Sequence, residues 1–214
     1  MKKIIIFGAA GNVGSYLTKY SVNFFDSSEY QIVASNRRKT EVFNKLDIEY
    51  VRVDITKESN FDKLPQKDVY AVMMLAAKIP SYMDEYNGKE YLSSNVLGTY
   101  NVLEYCRKVK VDRILFTTVF DISLSAKDGV VLQPDMKRNF SYKGDYAMYV
   151  ISKNTAIEMI LHYHQEYGIK KFIFRLPTIY NYSSYHYYYP NGIKTKRPLY
   201  QMINKAIKGE NIEL

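Results

Sequence analysis

The sequence predicts an α/β fold in which a doubly wound parallel sheet is covered by helices on both faces. Three observations predict it. Six short apolar runs rich in β-branched residues alternate with stretches of helical spacing. The first run, Lys3-Ile4-Ile5-Ile6-Phe7, passes straight into a turn containing Gly8, Gly11 and Gly14 and then into a helix-like pattern. No repeat or low-complexity linker breaks the alternation before about Leu176. Residues 1–176 are therefore expected to form one α/β domain. Residues 177–214, a tyrosine-rich loop and a last helix, are expected to form a short C-terminal substrate-binding part.

Length and composition bound the remaining possibilities. A chain of 214 residues buries about 70% of its unfolded surface and needs no disulfide or metal staple. The single cysteine, Cys106, sits in a helical apolar pattern and reads as an inert core residue, which suits a reducing cytoplasm. The apolar start is broken by Gly8 and Gly11, so it is not a signal peptide. No stretch approaches the roughly 20 apolar residues of a membrane span. The net charge of +8 is spread along the chain, without an arginine-rich helix or zinc-binding spacing. It fits a phosphate-bearing small molecule better than a nucleic acid.

Taken in order, the glycine turn is the phosphate-binding candidate. Gly8, Gly11 and Gly14, with Asn12 and Val13 between them, allow a tight turn, close approach of a pyrophosphate and close packing of helix on strand. The first crossover helix is read over residues 14–25, with Leu17, Tyr20 and Phe24 at helical spacing. The second strand, residues 30–34, ends in Ser35-Asn36-Arg37-Arg38. An acid there would bind the ribose of NAD, and arginine pairs with the extra phosphate of NADP, so NADP is favoured over NAD. Asp54 and Ile55 close the third strand (50–54), where a carboxylate can accept from an adenine amino group, or can cap the next turn. Leu75, Ala76 and Ala77 follow the fourth strand (69–75) and are small enough to lie against a flat cofactor. A helix over residues 90–108 contains Asn95 and Gly98, and Gly98 implies close packing.

The fifth strand (113–117) and the sixth (171–175) flank the sharpest chemical signal, Tyr149 and Lys153 on a helix running to about residue 167. The i, i+4 spacing places both on one face. A phenol is a poor base at neutral pH, and a nearby ammonium together with a positive nicotinamide lowers its pKa. The phenolate can then take a hydroxyl proton while the carbon beneath it gives up hydride. His162 and His164, late in that helix, lack partners at ligand spacing and read as surface residues.

With these pieces in place, the chain resembles the NAD(P)-dependent epimerase/dehydratase family of extended short-chain dehydrogenases/reductases. The resemblance runs through Gly8 to Gly14, Asp54-Ile55, Leu75-Ala76-Ala77, Asn95-Val96-Leu97-Gly98-Thr99, Tyr149 to Lys153 and Arg175-Leu176-Pro177-Thr178-Ile179-Tyr180. It implies a Rossmann-like fold and reversible hydride transfer on a hydroxyl-bearing small molecule such as a nucleotide-activated sugar. Epimerisation or ketone reduction would be the net reaction. It implies that the glycine turn holds pyrophosphate, that Asp54 and Ile55 hold adenine, and that Leu75, Ala76 and Ala77 flank the adenosine. Tyr149 would be the acid/base, Lys153 would hold the nicotinamide ribose, Pro177 would lie by the nicotinamide, and Asn95 would support the fourth helix. The family often forms homodimers through the helices at 90–108 and 149–167.

Two departures stand out. The family carries a serine or threonine where this chain has Val119, so Thr118 is the candidate for that hydroxyl. The Asp-Glu pair of the sugar 4,6-dehydratases is also missing from Val119-Phe120-Asp121, which disfavours that dehydration. Family members usually run roughly a third longer, through most of a substrate domain. Tyr180 to Pro190 occupy the place of the substrate pocket, where tyrosines can stack on a sugar or a base, and Lys194, Lys196 and Arg197 could receive a diphosphate. Two alternatives stay open beside the enzyme: a dinucleotide sensor without catalysis, and a degenerate scaffold whose tyrosine-rich tail is an interaction surface.

Overall fold

The computed structural model describes residues 1–80, 86–125, 129–177, 179, 187–188, 195–196 and 198–212. Strands β1 (Lys2–Phe7), β2 (Tyr30–Asn36), β3 (Glu49–Arg52), β4 (Val69–Met74), β5 (Arg113–Thr118) and β6 (Lys170–Arg175) form one sheet in the order β3-β2-β1-β4-β5-β6. All five pairings are parallel. The chain winds outward from β1 to β3 and then crosses back to β4, so the winding direction reverses between β1 and β4. In such sheets ligands bind in the crevice beyond the strand C-termini at that reversal.

Strands β1, β2, β4 and β5 are mostly apolar because both faces are covered, while the edge strand β6 leaves Phe172 and Phe174 exposed. Ile4, Ile6, Ile32, Ala34, Ala71 and Met73 fill one side. Ile5, Phe7, Val33, Val72, Met74, Ile114 and Phe116 fill the other, together with Val102, Leu103, Cys106, Ala156, Ile157 and Ile160 from the helices. Cys106 is completely buried, and burial pushes its thiol well above the usual range, as expected of an inert core residue.

Helix α1 (Asn12–Phe24) follows β1. Three helical stretches run head to tail after β4: α2 (Gly88–Tyr91), a π-helical segment (Leu92–Leu97) and α3 (Gly98–Lys108). Helix α4 (Asp145–Tyr167) precedes β6 and ends on Gly168, whose φ of 71° is the left-handed cap that glycine adopts without strain. Helix α5 is Pro198–Ile207.

The sequence pattern misses at three places. No helix joins β2 to β3; turns carrying the buried Phe43, with Val42, Leu46 and Ile48, cover the sheet there, and only a 3₁₀ turn (Glu58–Lys63) joins β3 to β4. The buried side of α1 is made of Gly14, Ser15, Thr18 and Ser21, while Tyr20 and Phe24 are exposed and stack on one another. The glycine turn holds α1 close to the sheet, so its fully buried residues are small, with Leu17 and Val22 packing partly buried beside them. Helix α4 begins at Asp145, so Tyr149 lies in its second turn instead of its first.

By internal contacts the chain forms two compact units, Met1–Ile79 with Asn87–Pro177, and Pro80–Tyr86 with Thr178–Leu214. The first holds the six-stranded sheet. The second holds α5 and a small antiparallel pair, β7 (Tyr187–Tyr188) with β8 (Thr195–Lys196). The expectation of a single break near residue 176 did not include the segment Pro80–Tyr86. Tyr180 to His186, Tyr189, Pro190, Lys194 and Arg197 lie outside the described residues. Among the described residues no helix is long and apolar enough to cross a membrane.

Candidate active site

Between β1 and α1 the backbone leaves no room for side chains. Gly8 has φ +80°, and a Cβ there would sit 2.6 Å from the Ala76 nitrogen. A Cβ on Gly14 would sit 2.1 Å from the Gly8 carbonyl oxygen. The Gly11 amide closes the turn on the Gly8 carbonyl at 2.9 Å, and the amides of Gly8 and Ala9 both reach the Ser35 carbonyl at the end of β2. Helix α1 starts with no side-chain cap and no acid in its first turn, so its positive end is not neutralised by the chain's own carboxylates. This is a bare backbone cradle of the kind that takes a phosphate. It lies at the reversal of the sheet, packed against Ala76.

The other adenosine-side candidates gather around it with different degrees of freedom. Asn36 is the last residue of β2, paired with Arg52, and Arg37 and Arg38 are exposed beyond it. Asp54 lies just past β3, not within it. Its Oδ1 accepts from the Thr56 amide at 3.1 Å and from the Thr56 hydroxyl at 2.8 Å, so one carboxylate oxygen makes a turn cap. Ile55 is buried against Gly98, whose added Cβ would come within 2.7 Å of the isoleucine Cδ1; its carbonyl accepts from Asn101 Nδ2 at 2.8 Å. Leu75, Ala76 and Ala77 are half-buried, and the Leu75 amide is bonded to the Phe7 carbonyl.

Asn95 is 2% exposed, unlike the surface position that helical asparagines usually take. Its Oδ1 accepts from the Lys78 amide at 2.8 Å, while its Nδ2 donates to the Lys78 carbonyl at 3.0 Å and to Ser152 Oγ at 2.9 Å. Ser152 in turn donates to the Tyr149 carbonyl at 2.7 Å. One side chain in the π-helical segment thus ties the loop after β4 to the helix carrying Tyr149. Widened helical turns of this type recur where a side chain has been re-aimed for a function.

Tyr149 and Lys153 share α4 as the spacing requires. Lys153 is 2% exposed, and its Nζ lies 3.9 Å from the centroid of the Phe116 ring of β5. Burial draws its ammonium down to about 7. Tyr149 packs among Val119, Phe140 and Val150, and its ring meets those of Tyr91 at 6.2 Å and Tyr146 at 6.0 Å. Burial, helped by Tyr146, pushes its phenol up to about 12. In the chain by itself this reverses the expected lowering: an apolar setting disfavours the phenolate, and the lysine is itself desolvated. Thr118 is buried on the same side of β5 as Phe116, and its hydroxyl has no exposure and, among the described residues, no hydrogen-bond partner. Val119 turns inward against Phe140 and Val150.

Sequence reasoning read Asp121 only as an acid without the glutamate partner of the dehydratases and missed its ion pairs. It is wholly buried, 2.8 Å from Arg175 Nε and 3.6 Å from Arg138 Nε, and Arg138 continues to Glu158 on α4. Arg175 also donates to the carbonyls of Pro134 and Met136. The charges pin the segment between β5 and α4 to the end of β6. A lone acid and two scattered arginines carry no local signature of such a cluster. The ring of tyrosines around Tyr149 did have one, the i, i+3 spacing of Tyr146 and Tyr149.

Pro177 follows β6 and is exposed. His162 is exposed and touches the rings of Tyr163 and Tyr167, while His164 Nδ1 lies 3.0 Å from the Ile169 carbonyl. Among the described residues no group of three His, Cys, Asp or Glu side chains could hold a metal ion.

Comparison with known proteins shows the family and the fold. A putative UDP-glucose 4-epimerase of Methanocaldococcus jannaschii is 27% identical over 179 residues, covering 83% of this chain and 56% of that protein. A dTDP-glucose 4,6-dehydratase of Neisseria meningitidis serogroup B is 30% identical over 115 residues, covering 50% of this chain and 32% of its own length. The crystal structure of UDP-glucuronic acid 4-epimerase from Bacillus cereus in complex with NAD has the same fold, with a TM-score of 0.73 and 22% identity over 99% of this chain and 66% of that one. The chain therefore spans little more than half the length of the M. jannaschii relative it matches. The NAD dependent epimerase/dehydratase family matches residues 4–214, and the chain belongs to that family.

Proposed function

We propose that this chain binds a nicotinamide dinucleotide and acts on the hydroxyl of a nucleotide-activated sugar, with epimerisation or ketone reduction as the net reaction. The observation that carries the proposal is the meeting, in one unit, of a side-chain-free phosphate cradle at the sheet reversal with a Tyr149–Lys153 pair on the helix beside β5. Gly8, Gly11, Asn12, Val13 and Gly14 would hold the pyrophosphate. Asn36, Arg37, Asp54, Ile55, Leu75, Ala76 and Ala77 would hold the adenosine half. Asn95, Tyr149, Lys153 and Pro177 would border the nicotinamide half. The turn supports that fit, because a Cβ at Gly8 or Gly14 would strike the backbone of Ala76 or Gly8, so bare backbone lies at the start of α1. Bound there, the dinucleotide would supply the hydride acceptor and, when oxidised, a positive charge.

Tyr149 holds the proton to be exchanged. With its phenol raised to about 12 it is an acid in the chain alone, and it becomes a base only when positive charge lowers it. Lys153 is the chain's own source of that charge, and its draw-down to about 7 makes its protonation sensitive to a neighbouring ribose or phosphate. Thr118 carries the nearest hydroxyl on β5, but it is enclosed and would reach the reacting oxygen only after a small shift of the strand end. The 4,6-dehydration of the N. meningitidis relative is disfavoured, since Asp121 is buried in an ion pair with Arg175.

NADP is favoured over NAD because Arg37 and Arg38 stand exposed beyond β2 with no acid at Ser35 or Asn36. Calorimetry with both dinucleotides tests this. Tighter binding of NADP, weakened by Arg37→Ala, is expected; equal binding unaffected by that change overturns the preference.

The test of the enzyme is turnover of UDP-glucose and UDP-glucuronic acid by wild type and Tyr149→Phe. Loss of turnover with dinucleotide affinity kept within about twofold is expected, and full activity in Tyr149→Phe refutes the assigned chemistry. A second reading, a dinucleotide sensor without catalysis, is favoured by Val119, which packs an apolar side chain beside Tyr149. Dinucleotide binding with no turnover in either wild type or Val119→Ser would decide for it.

A further inference from the structure

Tyr146 is the other phenol in the first two turns of α4. It lies in the first turn of the helix, three residues before Tyr149, and the two rings meet edge-on at 6.0 Å. Two phenol rings touch Tyr149, and they differ in access: Tyr91 is 2% exposed and Tyr146 is 41% exposed. The Tyr146 hydroxyl reaches toward the chain just after β5, donating to the Phe120 carbonyl at 3.3 Å. That is long for a bond between oxygens and is weakly held. The residue next to Phe120 is Val119, whose side chain is turned into the cluster with Phe140 and Val150 and donates nothing. The Thr118 hydroxyl is fully enclosed, so it cannot meet a substrate while β5 keeps its present packing.

We infer that Tyr146 is a substrate-contacting residue of this site, whose hydroxyl leaves its long contact with Phe120 and donates a hydrogen bond to the reacting oxygen of the sugar. The inference rests on the enzyme reading above and deepens it. Two phenols one turn apart then share the work: Tyr149 exchanges the proton, and Tyr146 holds the oxygen and stabilises the charge that gathers on it. A donor aimed at a developing oxyanion acts on the rate more than on binding. The first turn of α4 is well placed for that task, since the positive end of the helix favours negative charge beside it. It also follows that the apolar Val119 does not by itself silence the site.

The test compares wild type, Tyr146→Phe, Tyr149→Phe and the double variant Tyr146→Phe/Val119→Ser, with NADP and with NAD, and UDP-glucose or UDP-glucuronic acid as probes. Tyr146→Phe should lower kcat by about tenfold to a hundredfold with KM within about twofold. Restoring a hydroxyl at position 119 in that background should recover most of the loss, which a merely structural role for Tyr146 would not produce. Turnover by Tyr146→Phe within twofold of wild type overturns the inference and leaves the enzyme reading standing if Tyr149→Phe is inactive. Loss of activity with no rescue by Val119→Ser, accompanied by a lowered Tm, also overturns it. A fluorine label on a tyrosine at position 146 gives a readout independent of turnover. Its resonance should move when UDP-glucose joins NADP or NAD but not with either dinucleotide alone, and a resonance indifferent to both UDP-sugars refutes the contact even if no sugar is turned over.

Discussion

The ammonium of Lys153 rests 3.9 Å above the ring of Phe116, with 2% of the residue exposed. Its folded pKa, about 7, is below that of an unfolded lysine at 10.5. The unfolded chain therefore takes up the proton first as pH falls. Stability from this group is complete above pH 10.5 and is lost as pH drops from there to about 7. Lys153→Met should accordingly raise stability near neutral pH by roughly 1–3 kcal/mol, the ring contact offsetting part of the desolvation. The gain should shrink at alkaline pH. Urea denaturation of both proteins across that range checks it, and a variant less stable than wild type at neutral pH contradicts it.

Gly98 and Ile55 form a second pair that can be tested. Alanine at 98 would bring about 1 kcal/mol of helix propensity, but its methyl would come within 2.7 Å of Ile55 Cδ1. Overpacking of that kind costs about 1–3 kcal/mol, so Gly98→Ala alone should destabilise. In an Ile55→Ala background both close carbons, Cδ1 at 2.7 Å and Cγ1 at 2.8 Å, are gone and the same change should be neutral or favourable. A double-mutant cycle should show coupling of about 1–2 kcal/mol; additive effects would mean the contact is not tight.

Asn95→Ala removes a bidentate partner of the Lys78 backbone and a donor to Ser152 together. Leaving such groups inside without partners should cost about 2–4 kcal/mol. Amide exchange at Lys78 should speed up more than exchange in β1 or β4. Equal acceleration everywhere would point to global destabilisation instead of a local tie.

Glu104 on α3 accepts from Arg107 twice, at 3.0 and 2.8 Å, and from the Tyr163 hydroxyl of α4 at 2.6 Å. Arg107 foremost, with the Tyr163 bond, holds its carboxyl down to about 2. The group contributes stability above the unfolded value near 4.5, and that contribution is lost as pH falls from there toward 2. The side chain is 20% exposed, and solvent screening limits the effect to about 1 kcal/mol. Glu104→Gln should flatten the acid limb of the Tm profile in that interval and leave the profile parallel to wild type above it.

Local chemistry made much of the fold legible. Gly8 and Gly14 are needed where the backbone meets itself and Ala76, and such crowding selects glycine whatever the rest of the chain does. Gly98, read as a close-packing residue, does pack against Ile55. Where coverage could come from turns as well as from helices, as around Phe43, the apolar pattern did not say which. In α1, of the regularly spaced Leu17, Tyr20 and Phe24, only Leu17 packs against the core, and small residues take the fully buried places because the turn before them is so tight.

By itself, then, the sequence determined the alternation of strands and helices, the bare turn between β1 and α1, and the one-turn spacing of Tyr149 and Lys153. Each of these depends only on residues close together along the chain. Only the tertiary structure decided that Asp121 is enclosed between Arg138 and Arg175, that Asn95 bridges Lys78 and Ser152, and that Tyr146 is the accessible phenol beside Tyr149. It also decided the charge preferences of Tyr149 and Lys153, which burial moves in opposite directions. Those outcomes depend on which distant side chains exclude water from a group, and water exclusion is a property of the packed whole, not of any local stretch.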